Sequence, residues 1–95
     1  MRQAAKTDEN QKTIVTALRK AGASVQSLAA VGKGCPDLLV GYNGINYLIE
    51  VKDGNKVPSA RRLTIDQEHW HSVWTGAVHI VKTEDEALKI LKGTE

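Results

Sequence analysis

Asn43-Gly44, set between two apolar runs, constrains this chain more than any other pair of residues. A type I′ turn needs positive φ at both central positions, and Asn-Gly is the pair that most readily supplies it. With those residues in the turn, Tyr42 pairs with Ile45, Leu39 with Leu48, and Asp37 with Glu50. Directly opposed residues share a face of the sheet with Cβ atoms roughly 4.5–5.5 Å apart, and like charges placed so are destabilising. Lys52 lies two residues beyond Glu50 and so projects from that same face. A divalent cation is the simplest thing that makes such an acidic pair tolerable.

The bulk properties frame this hairpin without competing with it. Ninety-five residues fit a single domain spanning 1–95, and a chain of this size buries about 60–65% of its unfolded surface. No apolar run approaches the roughly 18–20 residues of a membrane span, and Met1-Arg2-Gln3-Ala4-Ala5-Lys6 lacks the apolar core of a secretory signal. One cysteine, Cys35, excludes an internal disulfide framework and suits a reducing cytoplasm. Net charge is +2, too small to argue for nucleic acid by itself. Its distribution says more, because Lys52, Lys56, Arg61 and Arg62 cluster against a single acid, Asp53.

Residues 7–21 read as a helix with Gln11, Ile14, Val15 and Leu18 on one side, Thr7 or Asp8 as cap and Gly22 as stop. Residues 24–31 have the small and β-branched character of a strand, and Gly32-Lys33-Gly34 reads as a flexible corner. Proline at 36 is acceptable only where a strand begins. The hairpin strands are 37–42 and 45–52. After a basic loop over 53–62, Thr64-Ile65-Asp66-Gln67 matches a capping box opening a helix that ends near Thr75-Gly76. Residues 77–82 form a short strand, and Thr83-Glu84-Asp85-Glu86 is a second capping box, starting a helix to about 92. The order is α-β-β-β-α-β-α. A hairpin cannot supply a parallel crossing, so the helix between the third and fourth strands must do so. The expected class is α/β (α+β), a mixed sheet flanked by helices.

With Pro36-Asp37 and Glu50-Val51-Lys52 on adjacent strands, the chain resembles the PD-(D/E)XK nuclease superfamily. Within it the chain is most similar to the small VRR-NUC domains of phage and repair nucleases, and more distantly to archaeal Holliday-junction resolvases. The similarity runs from about Glu9 to Val81, and the restriction-endonuclease-like core has the same element order. The resemblance implies that Asp37 and Glu50 bind Mg²⁺ or Mn²⁺ through their side chains, with the Val51 carbonyl as a further ligand. Lys52 would hold or activate the attacking water or stabilise the phosphate. Glu9 matches an acid that related nucleases place near the start of their first helix to complete the metal site; otherwise it is an acid favoured by the helix dipole. Gln67 matches a glutamine that the family carries on the helix after the motif lysine. The capping box offers that side chain a second use, the backbone N–H of Thr64, and the two uses are expected to compete.

Lys33, Lys56, Arg61 and Arg62 bracket the motif in loops and would meet phosphates, contacts that position a duplex without reading its sequence. Three features point less clearly to function. His69 and His71 diverge by about 200° on a helix and make poor co-ligands. Trp70 and Trp74 are expected in the core or a subunit interface. Cys35 is expected to be a packed residue, not a nucleophile. The expected activity is therefore metal-dependent hydrolysis of phosphodiesters in DNA, branched DNA such as Holliday junctions or flaps first, in replication or repair. A homodimer suits a two-fold symmetric junction, with Trp70, Trp74 and the last helix as the pairing surface. No membrane and no organic cofactor are expected, and the cytoplasm of a bacterial or phage-infected cell is the expected location. The contrasting expectations are a non-catalytic nucleic-acid-binding module and an RNA endonuclease.

Overall fold

The computed structural model describes residues 9–53 and 62–93. The proposed caps Thr7 and Asp8, and the basic residues Lys56 and Arg61, lie outside the described residues. The chain runs α1 (Glu9–Lys20), β1 (Ser24–Ser27), β2 (Leu38–Tyr42), β3 (Ile45–Val51), α2 (Ile65–Val73), β4 (His79–Val81) and α3 (Glu84–Leu91). This is the expected α-β-β-β-α-β-α order, in an α+β fold consistent with a restriction-endonuclease-like core. One four-stranded sheet has the strand order β1-β2-β3-β4.

The Asn-Gly turn forms as its chemistry demands. Asn43 and Gly44 have φ of 53° and 79°, the two left-handed positions of a type I′ turn. The ladder then pairs Tyr42 with Ile45, Leu39 with Leu48 and Leu38 with Ile49. β1 joins β2 antiparallel, whereas β4 joins β3 in parallel, so α2 lies on the crossing connection.

One face of the sheet makes the core. Leu38, Val40, Ile49, Val51 and Val81 are buried there, with Ile14 and Leu18 of α1 and Ala87 and Leu91 of α3. The alternation of the strands explains the choice of face, since residues two apart point to one side. Leu39, Leu48 and Glu50 therefore face the other way, where Glu50 meets Gln67 of α2. That helix is unusual: none of its residues is buried, while Ile65 at one end and Trp74 just past the other are exposed.

One expectation changes and a second is narrowed. The strand expected over 24–31 stops at Ser27. The Leu28 N–H still reaches the Asp37 carbonyl, but the Ser27 hydroxyl then takes the Ala29 N–H and Val31 bonds back to Leu28, turning the chain. Trp70 and Trp74 do not enter the core. They stack on each other with centroids 4.6 Å apart and planes 19° from parallel, and Trp74 is exposed. Their i, i+4 spacing brings the rings together, with Trp70 half-buried. The last helix has already spent its apolar face on α1 through Ala87 and Leu91. Among the described residues no helix is long and apolar enough to cross a membrane.

Candidate active site

Glu50 is the one buried charged residue among those described, with 1% of its surface exposed. The strand alternation that sends Ile49 and Val51 into the core sends Glu50 to the opposite face. There Asp37 stands one step beyond the last ladder pair, Leu38 with Ile49, in the register that sets it against Glu50. The Asp37 carboxylate is held by the Val51 N–H, which donates to Oδ2 at 2.8 Å. Two strand ends are thus tied together beside the acid pair.

The electrostatics follow from burial. Desolvation first, then the Asp37 charge, pushes the Glu50 carboxyl up from 4.5 to about 8, with Lys52 pulling the other way. Lys52 places Nζ 3.7 Å from Glu50 Oε2. The other oxygen, Oε1, is buried with no hydrogen-bond partner. A buried carboxylate oxygen without a donor is costly and rare in a folded protein. Beside a second carboxylate, its natural complement is a cation.

Gln67 closes the site from above. Its Nε2 donates to Glu50 Oε2 at 2.9 Å, and its Oε1 accepts from Lys52 Nζ at 2.9 Å. The same Oε1 accepts from the Thr64 N–H at 2.9 Å, and the Thr64 hydroxyl returns the favour to the Gln67 N–H. The expected competition between cap and site therefore does not arise. An amide oxygen has two lone pairs and the NH₂ group is separate, so one side chain serves three partners. Lysine and a backbone N–H can only donate and a carboxylate only accepts, which fixes the amide orientation.

The first helix contributes differently from expectation. Glu9 is exposed, lining a groove of about 380 Å³ with Lys12, Thr13, Lys20 and Glu84, and it is not brought to the Asp37–Glu50 pair. The helix instead sends Asn10, whose Nδ2 donates to the Lys52 carbonyl at 2.9 Å and the Lys82 carbonyl at 3.2 Å. The signal was present in the sequence, because Asn10, Ile14 and Leu18 lie at i, i+4 and i+8 on the core-facing stripe. A polar residue at the end of such a stripe needs a partner, and here it has two. Asn10→Ala should lower stability by about 1–3 kcal/mol by stranding these carbonyls, read as a lower urea midpoint with an unchanged slope.

Among the described residues no three or more His, Cys, Asp or Glu side chains are grouped so as to hold a metal ion. Among the described residues the carboxylates brought together here are those of Asp37 and Glu50. Cys35 is partly buried, and its thiol is raised by burial with the Glu50 and Asp37 charges adding to the effect. It is poorly suited to act as a nucleophile, as expected. Lys33 and Arg62 are exposed.

Comparison with solved structures gives a match to one described as a VRR_NUC domain, 26% identical, with a TM-score of 0.63. It covers 90% of this chain and 92% of that one. In fold and over nearly its whole length the chain is similar to a VRR-NUC domain. No family model and no curated protein matches it. The VRR-NUC resemblance thus rests on the shared three-dimensional fold together with the Pro36-Asp37 and Glu50-Val51-Lys52 motif.

Proposed function

We propose that this VRR-NUC-type chain is a metal-dependent endonuclease that hydrolyses phosphodiester bonds in DNA, with branched DNA as the leading substrate. The observation that carries the reading is the buried Glu50, with one oxygen orphaned beside Asp37 and the other clamped by Gln67 and Lys52. The residues fit Mg²⁺ or Mn²⁺: such ions take one or two carboxylates plus substrate phosphate oxygens. Asp37 and Glu50 would hold the ion, with the Val51 carbonyl as a further ligand. When bound, the metal neutralises phosphate charge and lowers the pKa of a coordinated water.

The chain's own residues do the rest. The Val51 N–H fixes the Asp37 carboxylate at the entry to β2, and Gln67 fixes Glu50 in β3, so both side chains are preorganised. Lys52, held by the Gln67 carbonyl oxygen, presents an ammonium where negative charge develops on the scissile phosphate and where an attacking water can be oriented. Glu9 has no part in this reading, because it opens toward Lys12 and Lys20. Lys33 and Arg62, with Lys56 and Arg61, would track the phosphate backbone, and binding should weaken steeply with salt. A four-way junction calls for paired incisions, so a homodimer presenting the exposed Trp74 side of α2 is the assembly that fits it.

One gel assay tests the reading. The purified chain with Mg²⁺ or Mn²⁺ is offered labelled four-way junction, flap, linear duplex and single-stranded RNA in parallel. Cleavage of the junction or flap, abolished by EDTA, is expected. Cleavage of RNA alone would move the substrate class, and binding without cleavage of any of them would make the chain a non-catalytic module.

A further inference from the structure

Three consecutive residues ahead of the motif lie in the left-handed region: Gly32 at φ 70°, Lys33 at 55° and Gly34 at 83°. A left-handed lysine between two glycines is strained, and such a conformation persists only where its surroundings enforce it. The enforcing contact is visible at Gly34. A Cβ built there would overlap the Asp66 carbonyl oxygen and lie 2.5 Å from its carbon and 2.9 Å from the Gln67 nitrogen. The loop backbone therefore abuts the first turn of α2 at the residue whose side chain bridges Glu50 and Lys52.

No residue of α2 is fully buried, whereas α1 and α3 are anchored by core side chains. Among the described residues, the contacts at its first turn include the capping box, the Gln67 bonds and the Gly34 seat. Gly32, by contrast, is equally left-handed, yet a Cβ there would meet nothing within 4 Å.

We propose that Gly34 is a positioning residue for Gln67: the bare backbone at 34 sets how closely the first turn of α2 approaches the sheet, and so whether the amide spans Glu50 and Lys52. The loop read from sequence as a flexible corner is instead a rigid seat, two residues upstream of Pro36. The kinetic consequence rests on the nuclease reading; the structural one does not.

The pair Gly34→Ala and Gly32→Ala separates the seat from backbone strain, since both force alanine into a left-handed conformation. In the full-length chain, the NMR signals of the Gln67 side-chain NH₂ report its bond to the buried Glu50. Slow solvent exchange and a displaced shift are expected in the wild type and in Gly32→Ala, and both should be lost in Gly34→Ala while the Ile14, Val40 and Ile49 amides stay put. Equal behaviour of the two variants would overturn the proposal. So would loss of the core signals in Gly34→Ala alone, because the glycine would then support the whole fold and not the site. Where cleavage is measurable, Gly34→Ala should lower kcat by on the order of 10²-fold with KM unchanged. It should add nothing further in a Gln67→Ala background, whereas additive losses would show that Gly34 does not act through Gln67. A chain that cleaves no nucleic acid leaves the NMR result standing on its own.

Discussion

Raising the pH of the metal-free protein from 4.5 to 8 is expected to destabilise it by about 1–3 kcal/mol once solvent screening of the site is allowed for, and Glu50→Gln to abolish most of that loss. Glu50 titrates near 4.5 in an unfolded chain and near 8 when folded. Between those values the folded state binds the extra proton. The stability this confers is complete below 4.5 and is lost as the pH rises through 8, where the folded protein must carry a buried charge against Asp37. The size matters because small domains hold only about 5–15 kcal/mol in total. Thermal melts in EDTA at stepped pH should show the midpoint falling by roughly 5–20 °C across this window. Mg²⁺ at pH 8 should recover it in the wild type and do little for Glu50→Gln, which has no charge to neutralise. A flat profile in EDTA, or a Glu50→Gln variant less stable than the wild type at pH 8, would remove the case for a repelling acid pair.

The hairpin that creates this pair was readable because its cause is local. Asn43-Gly44 sets the turn, the turn sets the register, and a period of two decides which side each residue faces. The capping box at Thr64–Gln67 was readable for the same reason, being a four-residue pattern; at Thr83 only half of the expected box forms, because the Glu86 carboxylate accepts from the Lys82 N–H and not from the Thr83 N–H. Legibility failed where distant backbone decides the outcome. The end of β1 at Ser27 depends on a hydroxyl caught by Ala29 and on pairing with Asp37, neither marked by propensity. Gly34 reads as an ordinary loop glycine until Asp66, 32 positions on, is placed against it. Asn10 and Glu9 are neighbours, and family likeness favoured the acid; the helical phase, which the sequence does contain, favoured the amide. The tryptophans meet as their i, i+4 spacing predicts and stay out of the core, because that spacing says that two rings touch and not what covers them.

Lys52→Met is expected to reduce turnover by about 10²–10³-fold or more while leaving metal binding intact. The methionine keeps most of the stem and removes only the charge, so the packing of a side chain that is 12% exposed changes little. In the wild type the ammonium is aimed by Gln67 Oε1 at 2.9 Å and stands 3.7 Å from Glu50 Oε2. A cation bound between Asp37 and Glu50 is repelled by that ammonium, so deleting it should hold or raise the affinity for Mg²⁺. Glu50→Gln and Asp37→Asn remove a ligand charge, and should lose cleavage and the metal-induced rise in melting temperature together. The two classes of variant are therefore distinguishable without any assumption about the substrate. Each variant is titrated with Mg²⁺ by thermal shift, and single-turnover cleavage of a labelled junction is then measured at saturating metal. Turnover within tenfold of wild type in Lys52→Met would reduce the lysine to a counter-ion for Glu50. Loss of the metal-induced shift in that variant would mean that Lys52 shapes the ligand pair itself, with its charge aimed at the carboxylates and not at the phosphate.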